Sequence, residues 1–207
     1  MTGPSGAGKT TLAQMLCERF HLPLISGSAA SIKSPEERAQ LARFAFPGGG
    51  HVGAIRFSAL NPEFAWENMT VQLAARSRLI ESAERFVTDR SPLDNIVFAV
   101  NQCGYSPLVT EPMLDVFFDE ALRIWRRLDL VVYVRQVCPF KISGKASRVE
   151  NRYYQRALDA QYEYWLREFF AAASGQPLPK VITLTQWDLD DRFQQCVAAV
   201  DEVLAAQ

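Results

Sequence analysis

Two spacings of apolar residues alternate along this chain. Short apolar runs of strand length are separated by longer stretches in which apolar residues recur at the three-to-four-residue spacing of a helix. Strands that alternate with helices are typical of a parallel sheet covered by helices on both faces. The predicted strands are residues 22–26, 85–89, 130–135 and 181–184. The pattern therefore predicts an α/β fold, a parallel β-sheet flanked by helices.

Capping residues mark where the helices begin. Ser34 with Glu37, and Ser147 with Glu150, have the capping-box spacing that satisfies backbone N–H groups at a helix start. Asn61 before a proline is a start signal of the same kind. The predicted helices cover about residues 10–20, 35 onward, 62–84, 111–127, 148–173 and 189–205.

The most specific motif is a glycine-rich loop at residues 3–10. Its sequence Gly-Pro-Ser-Gly-Ala-Gly-Lys-Thr fits G-x-x-x-x-G-K-[ST] at every fixed position, and an amphipathic helix follows it. Backbone N–H groups of such a loop surround phosphate oxygens, while the lysine adds a positive charge and the threonine hydroxyl binds Mg²⁺. The motif predicts a site for ATP and Mg²⁺, with Thr10 as a metal ligand. The residues expected to bind ATP are Gly3, Ser5, Gly6, Ala7, Gly8, Lys9, Thr10 and Thr11.

A loop of this kind normally follows a buried parallel strand, yet only Met1 and Thr2 precede it here. The leading strand is therefore expected to be absent or reduced to a stub. In sheets that carry such a loop, this strand lies between the strand ending at Asp89 and the strand at 130–135. Their backbone groups would otherwise face an empty slot. Three arrangements would pair these backbone groups: upstream residues in the natural protein, a distorted direct pairing of the two neighbouring strands, or a borrowed strand. We favour the first.

Composition narrows the class of protein. The 207 residues suit a single domain, and 48% hydrophobic with 22% charged residues is typical of a soluble globular protein. The net charge of −1 gives no general attraction to nucleic acid or membrane, and no segment suits a membrane span. The four cysteines form no C-x-x-C pair and the two histidines lie apart, which argues against a zinc site or a Ser-His-Asp triad. We expect a cytoplasmic protein without a membrane partner.

A second cluster follows the predicted strand 85–89. Ligands of open α/β sheets bind beyond the carboxyl ends of the strands, where Asp89 and Arg90 lie. A carboxylate there can hold Mg²⁺ or accept a proton, and an arginine can bind an oxyanion. Asp89 and Arg90, together with Lys9, are therefore predicted catalytic residues, and Asp89 a second metal ligand. An ordinary structural Asp–Arg pair is the alternative.

This segment carries a family resemblance. Residues 89–91 (Asp-Arg-Ser) followed by 94–99 (Asp-Asn-Ile-Val-Phe-Ala) resemble the Asp/Glu-Arg-Ser segment of deoxynucleoside kinases. They resemble still more the small P-loop kinases of bacteriophages, where Asp-Arg-Ser-Pro-x-Asp occurs. The resemblance implies a nucleotide-kinase-like P-loop fold with a helical lid, and the host cytoplasm if a phage encodes the chain. It also implies Asp89 near the metal and the acceptor hydroxyl, Arg90 on the substrate, and Asp94 near the acceptor's base or sugar. The spacing to Asp94 is one residue shorter than in the cellular enzymes.

Basic residues follow the strand at 130–135, where nucleotide-kinase-like proteins carry a lid. Arg148, Arg152 and Arg156 have i, i+4, i+8 spacing and share one helix face. We expect residues 138–156 to form a lid in which Arg148 and Arg152 act catalytically on the charge that develops during transfer. A solvated basic helix face is the alternative.

Residues 27–80 are the candidate acceptor-binding region. Gln72 and Arg76 share a helix face, and an amide can read the edge of a base, so both are predicted substrate-binding residues with Asp94. Aromatic residues of this region could sandwich a base or simply pack in the core. They are Phe44, Phe46, Phe57 and Trp66.

Together these features predict one P-loop kinase domain, residues 1–207, that moves the γ-phosphoryl group of ATP to a nucleoside-type or nucleotide-type acceptor. One alternative is a phage-type kinase acting on 5-hydroxymethyluracil or a similar base in DNA. It would need a basic surface track, for which Arg38, Arg43, Arg56, Arg76 and Arg78 are the candidates. The other alternative is a nucleotide-binding regulatory protein without catalysis.

Overall fold

The computed structural model describes residues 1–4, 6–27, 32–42, 44, 61–104, 106–136, 152–173, 175 and 177–206. The described helices are α1 (Lys9–Phe20), α2 (Pro35–Ala42), α3 (Pro62–Ser82), α4 (Pro92–Cys103), α5 (Glu111–Trp125), α6 (Arg152–Ala172) and α7 (Leu189–Ala205). The described strands are β1 (Leu24–Ile25), β2 (Val87–Thr88), β3 (Leu130–Val134) and β4 (Lys180–Leu184). Strands and helices alternate along most of the chain, and the fold is α/β as the apolar pattern predicts.

All strand pairs are parallel. In the described residues β1 pairs with β2, with Leu24 opposite Val87, and β3 pairs with β4, with Leu130 opposite Lys180. The two pairs are separate two-stranded sheets. All four predicted strands are therefore present, although β1 and β2 are shorter than their apolar runs.

A two-residue stub fills the slot between the two sheets. Thr2 forms a parallel bridge to β3, donating its N–H to the carbonyl of Val132 and accepting from the N–H of Val134, both at 2.9 Å. On the other side, the amine of Met1 donates to the carbonyl of Thr88 at 2.6 Å. The expectation of a stub between these two strands is confirmed. A direct pairing of β2 with β3, one of the three alternatives, does not occur in the described residues, because Met1 and Thr2 lie between them.

The helices also follow the sequence closely. The capping box of α2 is formed in both directions, with Ser34 N–H donating to Glu37 Oε2 at 2.7 Å and Glu37 N–H donating to Ser34 Oγ at 3.2 Å. Helix α4 is not among the predicted helices, although Ser91 caps it with a proline at its first position. None of the described helices is long and apolar enough to cross a lipid bilayer.

Strand β3 separates two apolar cores. Its alternate residues Val132 and Val134 pack with α1 and α7 on one face. Val131 and Tyr133 pack on the other face against the larger cluster, which draws buried side chains from α3, α4, α5 and α6. Each fully buried aliphatic side chain contributes roughly 1.5–3 kcal/mol. The two cores hold the carboxyl ends of β2 and β3 beside the loop that precedes α1.

Candidate active site

The glycine-rich loop lies against the end of β3. Gly3 has φ 133°, and a Cβ atom there would lie 2.3 Å from the carbonyl oxygen of Val134, so only glycine fits this approach. Gly8 is the N-cap of α1, and the positive end of that helix faces the loop. The ammonium group of Lys9 lies across the loop and donates to the carbonyls of Gly3 and Pro4 at 2.6 and 2.7 Å. The cationic group is thus held at the helix start, where a phosphate would bind.

Thr10 and Asp89 meet beside this loop. The Thr10 hydroxyl donates to Asp89 Oδ2 at 2.7 Å, joining the first turn of α1 to the end of β2. The other oxygen of Asp89 accepts the backbone N–H of Gly27, which follows β1. A Cβ atom on Gly27 would lie 2.4 Å from Asp89 Oδ1 and 1.9 Å from Arg90 Cγ, so a side chain there would displace this pair. The structure brings Thr10 and Asp89 into contact, while their roles as metal ligands stay predictions.

Asp94 is the centre of a buried hydrogen-bond network. Its Oδ1 accepts Arg90 Nη1 at 3.0 Å and the Tyr162 hydroxyl at 2.9 Å. Its Oδ2 accepts the Ser91 N–H at 2.7 Å and the Thr2 hydroxyl at 3.0 Å. The residue is only 3% exposed. Asp94 therefore joins the stub, α4 and α6 from the interior, whereas the sequence assigns it to the acceptor's base or sugar.

Charges inside this network keep Asp94 ionised. Burial pushes its pKa upward, but the positive charges of Arg90 and Lys9 and the Ser91 N–H outweigh that effect and hold the pKa below the ordinary 3.8. Desolvation also raises the pKa of the Tyr162 hydroxyl well above its ordinary value, and the charge of Asp94 adds to that rise. Tyr162 therefore remains a neutral donor to an anionic acceptor.

The stabilisation that ionised Asp94 gives to the native state should be lost in acid. A depressed native pKa means that Asp94 stabilises the fold above its ordinary pKa and ceases to do so as pH falls through the native value. The unfolding free energy of the wild type should thus fall more steeply below about pH 4 than that of Asp94→Asn, which cannot titrate. Urea denaturation over a pH series measures this, with the exposed Asp119→Asn as control. Equal slopes in wild type and Asp94→Asn would contradict the network's role.

Arg76 supports the same network from α3. Its Nε donates to Asn95 Oδ1 at 3.0 Å, and one terminal nitrogen donates to the carbonyl of Arg90 at 3.1 Å. The side chain is 1% exposed, and this burial lowers its pKa to about 10 against the raising effect of Asp94, so it stays charged at neutral pH. The sequence predicts that Arg76 binds substrate, but the structure places it behind Arg90. Its position suits the orientation of Arg90, whose side chain is 26% exposed.

Of the remaining predicted residues, only some lie in the part of the chain that the structure describes. Gln72 lies half-buried on α3, and Arg156 is exposed on α6. Trp66 packs against Phe117 at 5.2 Å between ring centroids, and Phe44 packs against Phe64 at 5.3 Å, which favours the core interpretation for both. The other predicted positions lie outside the described residues. They are Ser5, Phe46, Phe57, Arg148, the side chain of Arg152 and most of the lid at 138–156.

Several residues of the site were not predicted. Arg192 of α7 donates to the carbonyl of Ala7 at 3.0 Å and to that of Gln186 at 2.5 Å, so it braces the back of the loop. Thr2 and Tyr162 complete the Asp94 network. The sequence contained a signal for Gly27, since a glycine directly after a predicted strand marks a close backbone approach. It contained no signal for Arg192, Thr2 or Tyr162, because their partners are distant along the chain.

The donor set fits a hard divalent cation and a polyphosphate. A carboxylate and a hydroxyl lie in contact at Asp89 and Thr10, and oxygen ligands are those that Mg²⁺ prefers. An ammonium group and a helix start lie next to them at Lys9. This combination suits nucleoside triphosphate chemistry at the carboxyl edge of the sheet.

Comparison with solved structures identifies the fold. The chain superposes on deoxyadenosine kinase from M. mycoides with the products dCMP and a flexible dCDP bound, with a TM-score of 0.59 and 15% identity over 97% of this chain and 96% of that one. The same kinase with dCTP bound gives a TM-score of 0.56 and 15% identity, covering 97% of each chain. No protein-family profile matches the sequence, and no curated protein matches it. The chain therefore has the P-loop fold of the deoxynucleoside kinases.

Proposed function

We propose that this chain, built on the deoxynucleoside kinase fold, is an ATP-dependent kinase that phosphorylates a hydroxyl or phosphate of a nucleoside-type or nucleotide-type acceptor. The observation that carries the proposal is the contact of Thr10 with Asp89 beside Lys9. It brings a metal-binding hydroxyl, a carboxylate and a phosphate-binding cation to one edge of the sheet. Phosphoryl transfer needs this combination of positioning and charge.

Each residue of the site then has a distinct role. Lys9 leaves the carbonyls of Gly3 and Pro4 and binds the outer phosphates of ATP, whose oxygens also accept the loop N–H groups. Thr10 and Asp89 would hold Mg²⁺, which would supply positive charge to the phosphates of ATP. Asp89 also lies where a carboxylate can accept the proton of the acceptor hydroxyl. Arg90, fixed by Asp94, presents its exposed edge to the transferring group.

The neighbours in fold support a nucleotide-type acceptor. Both superposed structures are of a deoxyadenosine kinase, and their bound molecules are deoxycytidine nucleotides. Similarity extends over nearly the whole of both chains. We propose that the acceptor site lies beside the Asp89-Arg90 turn, where the Asp89 carboxylate and the exposed edge of Arg90 lie.

Product identification tests this function directly. Labelled ATP is offered with Mg²⁺ to panels of deoxynucleosides, deoxynucleotides and DNA that contains hydroxymethylpyrimidines, and each labelled product is identified. We expect label on a free nucleoside or nucleotide. ATP binding without transfer to any acceptor would contradict the kinase proposal and favour a regulatory nucleotide-binding protein.

Label on the DNA would select the DNA kinase instead. Two of the five arginines proposed for its basic surface track are poorly placed for DNA, because Arg76 is buried and Arg78 is paired with Glu37 at 2.8 Å. Binding of a polymer would weaken steeply with salt, whereas binding of a mononucleotide would change little. A shallow salt dependence is therefore the expected result.

The lid arginines give a separate prediction that rests on the sequence. Replacing Arg148 and Arg152 together with alanine should lower kcat by roughly 10²-fold or more and weaken ATP binding much less, because lid charges act mainly in the transition state. Exposed Arg156→Ala on the same predicted face is the matched control. Steady-state kinetics and ATP titration measure the two effects. An unchanged kcat in the double variant would mean that these arginines form only a solvated face.

A further inference from the structure

The buried hydroxyl of Tyr162 binds the same oxygen atom that holds Arg90. Tyr162 lies on α6, is fully buried, and donates to Asp94 Oδ1 at 2.9 Å. Arg90 Nη1 donates to that same oxygen at 3.0 Å. A single carboxylate atom therefore joins α6 to an arginine at the carboxyl edge of the sheet.

The carboxylate of Asp94 cannot turn freely. An ionised carboxylate offers about four lone-pair positions, two on each oxygen. Oδ1 accepts from Arg90 and Tyr162, while Oδ2 accepts from the Ser91 N–H and the Thr2 hydroxyl. Any rotation of the group would break several of these hydrogen bonds together. The four donors therefore fix the direction from which Oδ1 holds the arginine.

Arg90 is held on several sides and has one open edge. Its carbonyl accepts from Thr88 Oγ1 at 2.8 Å and from Arg76 at 3.1 Å. Its Cζ lies over the ring of Phe98, 5.7 Å from the ring centroid. Among the described residues, its Nε and Nη2 have no hydrogen-bond partner, and the side chain is 26% exposed. These two nitrogens form one edge of the guanidinium group, which can bind two phosphate oxygens side by side. The direction of this edge depends on the bond from Nη1 to Asp94.

We propose that Tyr162 is a positioning residue for phosphoryl transfer, which acts through Asp94 to aim the open edge of Arg90 at the transferring group. This inference rests on the proposed function, in which Arg90 faces the phosphoryl group that moves. A charge that is already oriented stabilises the transition state without reorganising at the moment of transfer. Loss of the tyrosine hydroxyl leaves Oδ1 free to shift, and the arginine edge shifts with it.

Two matched tyrosine variants test the proposal. Tyr162→Phe removes the hydroxyl and keeps the ring, which stacks on Tyr133 at 6.1 Å between centroids. It should lower kcat roughly 10- to 100-fold and change the KM for ATP much less. Tyr133→Phe is the control, because this buried hydroxyl also donates to an aspartate, Asp159, at 2.7 Å, but that carboxylate binds Arg135 instead of Arg90. Both variants should lose similar stability, measured as Tm, and only Tyr162→Phe should lose turnover. Equal losses of kcat in the two variants would overturn the proposal.

A double-mutant cycle shows whether the effect passes through Arg90. In an Arg90→Ala background, Tyr162→Phe should lower kcat no further, because no arginine remains to be aimed. Single-turnover transfer measures these low rates. A full additional loss of kcat in the double variant would overturn the proposal, since Tyr162 would then act without Arg90.

The orientation of Arg90 can also be followed without turnover. In protein with isotope-labelled arginine, the NMR signal of the Arg90 Nε–H group reports how freely the guanidinium group rotates. Tyr162→Phe should make this rotation several-fold faster, and Tyr133→Phe should leave it unchanged. An unchanged rotation in Tyr162→Phe would overturn the proposal, as would an unchanged kcat. A wild type that transfers no phosphoryl group would instead overturn the kinase proposal, and the arginine signal would still decide whether Tyr162 aims Arg90.

Discussion

Lys9→Ala is expected to lower kcat/KM for phosphoryl transfer by roughly 10²- to 10³-fold while the protein stays folded. The Lys9 ammonium donates to the loop carbonyls of Gly3 and Pro4 at 2.6 and 2.7 Å and is not a member of the apolar core around α1, so its removal takes away a ligand-binding charge and leaves that core in place. Steady-state kinetics with the acceptor found in the product assay measures the loss, and thermal unfolding measures the fold.

Gln14→Ala is the matched control for Lys9→Ala, because Gln14 lies exposed on the same helix, away from the loop. This variant should keep both its turnover and its Tm. Near-wild-type turnover in Lys9→Ala would remove the basis for the kinase proposal. A collapse of Tm in that variant would show instead that the loop needs the lysine to fold.

Asp89→Asn should retain nucleotide binding and lose phosphoryl transfer, with kcat reduced roughly 10²- to 10⁴-fold. Asparagine has nearly the same shape, but its amide is a poor ligand for Mg²⁺ and cannot accept a proton. The bond from Thr10 at 2.7 Å holds the carboxylate beside the hydroxyl that we propose as the second metal ligand. Nucleotide titration and single-turnover transfer separate the two effects.

The exposed carboxylate of Asp115 on α5 is the control, and Asp115→Asn should behave as the wild type. A further check uses the concentration dependence of Mg²⁺. If Asp89 holds the metal, residual activity of Asp89→Asn should rise with Mg²⁺ well beyond the level that saturates the wild type. Full activity of Asp89→Asn at ordinary Mg²⁺ would contradict both of its proposed roles.

The parts of this site that follow local rules could be predicted from the sequence. Lys9 and Thr10 belong to a motif whose spacing fixes its geometry, and Asp89 follows a short apolar run that predicts a strand. Each of these positions is determined by a few neighbouring residues. The capping box at the start of α2 was predictable for the same reason.

The interior of the site could not be predicted, because it is assembled from distant segments. Asp94 meets Thr2 and Tyr162 across 92 and 68 residues, and neither pair leaves a periodic signal. Asp94 was assigned to the acceptor through the family resemblance of its segment alone, and a resemblance in sequence does not reveal which contacts a side chain makes. Arg76 was assigned by helix face alone, which does not reveal that its face is turned into the core.

The bond between Arg192 and Ala7 joins residues 185 positions apart. The glycine-rich loop leaves the ribosome long before α7, the last described helix, whose Arg192 side chain braces it. A nascent chain halted before α7 would carry the whole motif and lack its brace. Nucleotide binding by the growing polypeptide should therefore begin only when α7 has emerged and docked, which makes ATP affinity a marker for the synthesis of this helix.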